Sequence, residues 1–175
     1  MYGVGDTVLY GSQGVCRIAG KEQRRLRGEY VDYFVLRPVY DENSTVYVPC
    51  ANDKLISKMK DIMTCSQAQE MVENVVKSDP EWITDDNERK LRFQEILNSG
   101  DRLGTLMLIK SLYLHRVFQE ERGRHLHQND ETMLKQAEKL VYGELALALG
   151  MTPEEVLPYI MKRVVSSTAV QNPAG

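Results

Sequence analysis

The sequence predicts an α+β protein with segregated secondary structure, in which a small β barrel is followed by an all-α bundle of four or five helices. Up to residue 50, runs rich in β-branched and aromatic residues alternate with turn residues, as in small antiparallel sheets. From Thr64 onward the apolar residues recur instead with helical spacing. The change falls between Asn52 and Thr64, with no glycine- or serine-rich linker between the two halves.

The first half contains four predicted strands, at residues 7–10, 15–19, 30–39 and 45–48. Each run is rich in Val, Ile, Tyr or Thr, which strands favour. Clusters of Gly, Ser, Asp and Asn separate the runs and predict turns. So many short strands in so short a segment indicate a small, strongly bent barrel, which at this size is only marginally stable without a neighbour or partner.

The second half contains up to five predicted helices. Pro80 ends the first, Asp85 and Glu88 fit a variant of the capping box at the start of the second, and Gly100 ends it. Pro158 requires that the last helix is kinked or starts one turn later. The predicted helices cover residues 66–77, 85–98, 101–123, 129–150 and 153 onward, and the predicted domains are 1–55 and 61–165, with a flexible tail at 166–175.

Composition excludes several classes of protein. The net charge of -3 and pI near 5.7 argue against a protein that coats nucleic acid by bulk charge, so any such contact needs a local basic patch. The N-terminus lacks the pattern of a signal peptide, and no apolar run is long enough to span a membrane. We therefore expect a cytoplasmic protein without membrane contact.

Residues typical of catalysis or metal binding are not arranged for either. Cys16, Cys50 and Cys65 are odd in number and lack CxxC spacing, so we expect reduced thiols rather than a disulfide framework or zinc site. His125 and His127 have no cysteine or carboxylate at ligand spacing and are interpreted as a solvated loop. We expect no enzyme activity, no catalytic residues, no metal, no cofactor and no small-molecule substrate.

Basic and aromatic residues carry more information. Arg24 belongs to a basic cluster around the second predicted turn. Trp82, the single tryptophan, precedes the second helix, on which Arg89 and Arg92 share a face with Lys90 beside them. A lone tryptophan is most often a core or helix-entrance residue. Beside arginines it could also serve as an apolar wedge in a DNA minor groove, with the basic residues holding phosphates.

Several short motifs in order resemble one family. The chain resembles, over most of its length, the CarD/CdnL family of bacterial RNA-polymerase-binding transcription regulators. The resemblance rests on Gly5-Asp6-Thr7-Val8-Leu9-Tyr10, Gly14-Val15, Tyr33-Phe34-Val35-Leu36, Thr45-Val46-Tyr47-Val48-Pro49, Ile96-Leu97-Asn98-Ser99-Gly100-Asp101, Gln119-Glu120-Glu121-Arg122-Gly123 and Gly143-Glu144-Leu145-Ala146.

For the first half, the resemblance implies a Tudor-like barrel that docks through a strand edge on the polymerase β subunit. The matching positions are Arg24, Val46, Tyr47 and Pro49. An exposed strand edge can accept a strand from a partner, with main-chain hydrogen bonds for affinity and side chains for specificity. Position 47 is Tyr where some relatives carry Arg, so the resemblance does not imply a charge contact there.

For the helical half, the resemblance implies contact with promoter DNA in the minor groove at the upstream edge of the bubble. The implied DNA-binding residues are Trp82 as wedge, with Arg89, Lys90 and Arg92 as phosphate contacts. Trp82 lies about one helical turn earlier than the wedge of some relatives, at which Asp86 stands here. Either the helix entrance is rebuilt so that Trp82 reaches the same point, or the wedge is lost.

The resulting prediction is a transcription regulator that stabilises the open complex by binding both polymerase and promoter. Two alternatives remain. One is a protein–protein adaptor of polymerase without DNA contact, in which Trp82 is a core residue. The other is a helix-turn-helix repressor, disfavoured because no short glycine-containing turn is predicted to join two helices in that pattern.

Overall fold

The protein folds into two compact units, Met1–Met63 and Thr64–Gly175. The computed structural model describes the backbone of residues 1–171 and the side chains of residues 1–164 and 166. The first unit contains five strands and two short helical segments, and the described part of the second contains helices and no strand. The predicted α+β class with segregated halves is confirmed.

The first unit is built on one antiparallel sheet of five strands in the order β4-β3-β2-β1-β5. A short 3-10 helix, Gly11–Gln13, joins the first two strands, and α1, Asp53–Ile56, precedes the last. The strands are β1 Thr7–Tyr10, β2 Val15–Leu26, β3 Glu29–Pro38, β4 Val46–Pro49 and β5 Met59–Asp61.

The core of the first unit lies on one face of this sheet. Met59 of β5 packs at one end of this core. Its other buried members come from four strands and are Val8, Cys16, Ile18, Phe34, Leu36 and Val48. The predicted boundary at residue 55 is too early, because β5 pairs with β1 and belongs to the first unit. Three residues, one of them apolar, leave no alternation from which β5 could have been predicted.

Strand β2 is longer than predicted, and the reason is pairing rather than propensity. Residues 21–26 are all exposed, but they stay in register with β3 as far as Leu26 opposite Glu29. The hairpin then turns in two residues, Arg27 at φ 50° and Gly28 at φ 94°. Two consecutive positive φ angles are what the tightest hairpin turns of right-twisted strands require.

The described residues of the second unit, 64–171, form five helices: α2 Cys65–Lys77, α3 Asp86–Ser99, α4 Arg102–Glu120, α5 Gln128–Leu149 and α6 Pro153–Gln171. Thr64 and Gln67 form a reciprocal capping box at the start of α2. Asp85 accepts a hydrogen bond from the Glu88 N–H at the start of α3, as expected. Gly100 and Gly150 adopt the left-handed conformation that ends α3 and α5.

Three details differ from the sequence-based expectation. Helix α6 begins at Pro153 and includes Pro158, so the later start is wrong. The same helix continues through Gln171, past the predicted start of a flexible tail, and residues 172–175 lie outside the described residues. Finally, Gly100 and Asp101 do form a short glycine-containing turn between α3 and α4.

That turn does not make α4 a recognition helix. No residue of α4 from 102 to 113 is exposed, whereas the N-terminal residues of a recognition helix must reach base edges in the major groove. Asp101 instead caps α4 by accepting a hydrogen bond from the Gly104 N–H at 2.9 Å.

Buried charge fixes how the helices pack. Glu144 of α5 is fully buried and receives both Nε and Nη2 of Arg102 at 2.8 Å. Lys110 of α4 donates from Nζ to the carbonyls of Val75 and Val76 at 2.9 and 3.1 Å and also to that of Ser78. An ammonium group is well placed there because the last carbonyls of a helix lack intrahelical partners.

Within residues 1–171, no helix has the length and apolar character needed to cross a bilayer. The same stretch holds no group of three or more His, Cys, Asp or Glu side chains arranged to hold a metal ion.

The β2–β3 turn provides a test of this fold. Gly28→Ala should lower the free energy of unfolding of the first unit by about 1–2 kcal/mol, because a Cβ is strained at φ 94°. Gly20→Ala is the matched control: its φ is not positive and its new Cβ meets no atom, so we expect no loss of stability. Calorimetric unfolding of both variants measures the difference, and equal stability would contradict the turn geometry.

Candidate functional site

The first candidate surface is the β4 edge of the sheet. Cys50 donates its N–H to the Asp32 carbonyl at 2.8 Å, and Val48 is in register with Phe34 of β3. Main-chain groups in an antiparallel ladder alternate between the two sides of a strand. Those of Tyr47 and Pro49 are therefore directed away from β3, where proline's missing N–H costs no sheet hydrogen bond.

The side chains of β4 divide between two faces. Val46 is partly buried against the core of the first unit. Tyr47 points to the opposite face, where its ring makes an edge contact with Tyr33 at a centroid distance of 6.5 Å and an interplanar angle of 86°. The Arg24 guanidinium lies 3.5 Å from the Tyr47 ring centroid, and Pro49 is opposite Tyr33 in the ladder. We call Arg24, Tyr33, Tyr47 and Pro49 the β4 face.

Of the residues predicted to bind polymerase, the structure brings Arg24, Tyr47 and Pro49 together and turns the side chain of Val46 into the core. Arg24 also pairs with exposed Glu22 at 3.3 Å. Tyr33 was missed as a site residue because its only sequence signal is the strand alternation that places it beside Tyr47.

The second candidate surface surrounds Trp82, which lies in the segment between α2 and α3 and is half-buried. Its ring stacks on His115 of α4 with a centroid distance of 3.7 Å and an interplanar angle of 10°. His115 in turn stacks on Phe118, three residues later, at 5.8 Å and 21°.

Arg89 contradicts the expectation that it contacts phosphate. Its side chain is only 4% exposed, and all five of its N–H donors are used within the protein. The Nε and Nη2 atoms bind the Asp130 carboxylate at 3.0 and 2.8 Å. The other hydrogen bonds go to Asp86 at 2.6 Å and to the carbonyls of Ile83 and Thr84 at 2.9 and 3.4 Å.

This arrangement gives Arg89 a structural role. The guanidinium lies 4.5 Å from the Trp82 ring centroid, a cation–π distance. It also ties the start of α3 to Asp130 of α5 and to the segment that carries Trp82. Arg89 therefore supports Trp82 and has no N–H left for an external ligand.

The remaining predicted DNA-binding residues are exposed. Lys90 follows the buried arginine, and Arg92 makes only an exposed pair with Glu95 at 3.4 Å. Leu91 between them is 68% exposed. Asp85, Asp86 and Glu88 are exposed at the same end of α3, so the two cations lie on a surface of mixed charge.

The electrostatics around Trp82 follow from these contacts. Desolvation acts to lower the pKa of Arg89, but its hydrogen bonds to Asp130 and Asp86 outweigh that effect and raise it. The same contact to Arg89 lowers the pKa of Asp86. Burial, and then the charge of Arg89, lower the pKa of His115, so the stacked imidazole is neutral at pH 7.

Sequence reasoning missed His115, Phe118 and Asp130. His115 and Phe118 are three residues apart and thus share a face of α4, but nothing in the sequence indicated that Trp82 reaches that face. Asp130 was interpreted only as the start of α5, a position at which an acid is favoured whether or not it has a partner. His127, predicted to be solvated, is exposed but lies 3.3 Å from Asp86.

Comparison with protein-family models identifies the chain. Residues 2–60 match the CarD-like/TRCF RID domain, and residues 70–161 match the CarD C-terminal domain. The protein belongs to the CarD family. CarD-family proteins are RNA-polymerase-interacting transcription regulators without enzymatic activity. The two matched domains correspond to the two compact units of the structure.

The Arg89–Asp130 pair allows a direct test of the support for Trp82. Asp130→Ala should lower the free energy of unfolding of the helical unit by about 3–5 kcal/mol, because it leaves a buried guanidinium with unused donors. It should also shift the emission of Trp82, the single tryptophan, to longer wavelength. Emission-monitored denaturant unfolding measures both.

The matched control for that test is Glu95→Ala, which removes the exposed partner of Arg92. We expect a change of less than about 1 kcal/mol from it, as for most surface ion pairs. Equal effects of the two substitutions would show that the buried pair does not hold this region.

Proposed function

We propose that the protein binds the RNA polymerase β subunit through the β4 face and promoter DNA through the surface around Trp82, and so stabilises the open complex. The observation that carries the proposal is one chain with two different surfaces. One is a strand edge beside Tyr47 and Arg24, and the other is the partly exposed Trp82, which precedes the helix that carries exposed Lys90 and Arg92. The proposed setting is the bacterial cytoplasm, where polymerase and promoters meet.

The β4 edge supports the proposed contact with polymerase. Main-chain groups of Tyr47 that are directed away from β3 can pair with a strand of the partner. Tyr47, Tyr33 and Arg24 add rigid aromatic area and a cation beside that edge, and Tyr and Arg are the residues most often found to dominate binding energy at interfaces. Because Val46 faces the core, its proposed role is to shape the strand rather than to contact the partner.

The surface around Trp82 supports the proposed contact with DNA. A half-exposed indole can enter an opened base step in the minor groove, and nearby cations can hold the flanking phosphates. In the proposed complex Trp82 is the wedge, and Lys90 and Arg92 contact phosphates. Arg89 acts through Trp82, because its own donors are already used.

The net charge of the chain explains why the protein would need to contact both polymerase and DNA. With a net charge of -3, the free protein has little general attraction for DNA. Binding to polymerase converts the DNA contact into an intramolecular event at high effective concentration. Contacts made better with melted than with duplex DNA then shift the equilibrium toward the open complex.

One observation favours a second candidate, an adaptor of polymerase that makes no DNA contact. Trp82 already stacks on His115 and lies against Arg89, which is what a purely structural tryptophan would do. The two candidates differ in whether Lys90 contributes to the open complex.

Tyr47→Ala in the full chain tests the proposed contact with polymerase. Loss of Tyr47 should weaken binding to the isolated β subunit by roughly tenfold or more, as at other aromatic interface residues. Surface plasmon resonance with immobilised β subunit measures the affinity.

Tyr30→Ala is the matched control, because Tyr30 is 70% exposed and lies opposite Arg25, away from β4. It should bind like the natural protein. If Tyr47→Ala also retains full affinity, the β4 face is not the polymerase site.

Lys90→Ala tests the proposed contact with DNA. Removing one phosphate contact should shorten the lifetime of open complexes several-fold and reduce the logarithmic salt dependence of DNA binding in the ternary complex by about one. Lys139→Ala, an exposed lysine on α5, should change neither. Equal lifetimes for both variants and the natural protein would favour the adaptor.

A further inference from the structure

The His115 imidazole stacks directly on the Trp82 indole. The two rings are nearly parallel, with 10° between their planes and 3.7 Å between their centroids. That separation is van der Waals contact between π faces. The contact joins residues from two parts of the helical unit, since Trp82 precedes α3 and His115 lies in α4.

Trp82 needs such a contact to keep one orientation. It lies in the segment from 78 to 85, which contains neither helix nor strand, so regular secondary structure does not restrict its backbone or side chain. A half-exposed side chain there would otherwise sample several rotamers, and ordering it on binding would cost free energy. The stack selects one ring plane in advance.

His115 is itself held in place. The Gln119 side chain, one turn later on α4, lies with Nε2 3.3 Å from His115 Nε2, so an amide N–H can donate to a neutral imidazole. Phe118 stacks on His115, and the Arg122 guanidinium lies 3.6 Å from the Phe118 centroid. The imidazole is therefore held in its orientation by Gln119 and Phe118 as well as by Trp82.

We propose that His115 is a positioning residue for Trp82: its imidazole fixes the plane in which the indole meets an opened base step. This inference rests on the proposed DNA contact of Trp82. A flat aromatic ring of any chemistry would supply most of the contact, whereas a small aliphatic side chain would remove the parallel stack and leave the indole to the looser contact with Arg89, 4.5 Å from its centroid. His115 makes no contact with DNA itself in this account.

The test compares His115→Ala, His115→Phe, Trp82→Ala and the double variant Trp82→Ala/His115→Ala in the full chain. Two quantities are measured: the lifetime of promoter open complexes, and the emission anisotropy of the single tryptophan in the free protein. His125→Ala, which removes an exposed histidine after α4, is the matched control. Far-ultraviolet circular dichroism verifies that each variant is folded.

We expect His115→Ala to shorten the open-complex lifetime roughly three- to tenfold, the factor that corresponds to an aromatic stacking contact. The anisotropy of Trp82 should fall in the same variant. His115→Phe should restore both quantities, His125→Ala should change neither, and the double variant should be no worse than Trp82→Ala alone.

Failure of this inference is distinct from failure of the proposed DNA contact. If Trp82→Ala shortens the lifetime but His115→Ala does not, Trp82 acts without positioning by His115 and the inference is wrong. If Trp82→Ala leaves the lifetime unchanged, the DNA contact itself fails, and the inference falls with it. If the double variant is clearly worse than Trp82→Ala, His115 acts by another route, which also overturns the inference.

Discussion

The helical unit depends on one buried ion pair, between Arg89 of α3 and Asp130 of α5. A buried guanidinium is tolerated only when its donors are satisfied, and here five hydrogen bonds to Asp130, Asp86, Ile83 and Thr84 do so. Satisfying them fixes the otherwise irregular segment before α3. Because Trp82 belongs to that segment, the position of the one tryptophan follows from the pair.

The first unit solves a different problem. Its strands leave β4 at one edge of the sheet, and an open edge is an aggregation hazard unless it is blocked or used. Pro49 removes one donor from that edge, and Arg24 places a cation over Tyr47 beside it. These features limit indiscriminate strand pairing but leave main-chain groups at Tyr47 for a specific partner. The edge is therefore suited to a single partner strand of defined register.

The sequence was sufficient for whatever depends on local pattern. The limits of β1, the caps at Asp85 and Asp101 and the glycine ends of α3 and α5 follow from turn and capping chemistry. It was insufficient where a tertiary partner decides. Strand β5 is too short to show a periodic pattern of apolar residues. Residues 21–26 form a strand because β3 pairs with them. In the sequence Arg89 cannot be distinguished from a surface cation, because its partner Asp130 is distant along the chain. The stack of Trp82 on His115 has no sequence signature, since it joins two segments through packing alone.

We propose that the helical unit meets promoter DNA only when polymerase brings it there. A photo-crosslinking amino acid at position 91, where Leu91 is 68% exposed between Lys90 and Arg92, would report this contact. With polymerase and promoter present, we expect crosslinks to DNA at the upstream edge of the bubble, and with promoter alone we expect almost none. Equal crosslinking without polymerase, or no DNA crosslink in the full complex, would contradict it.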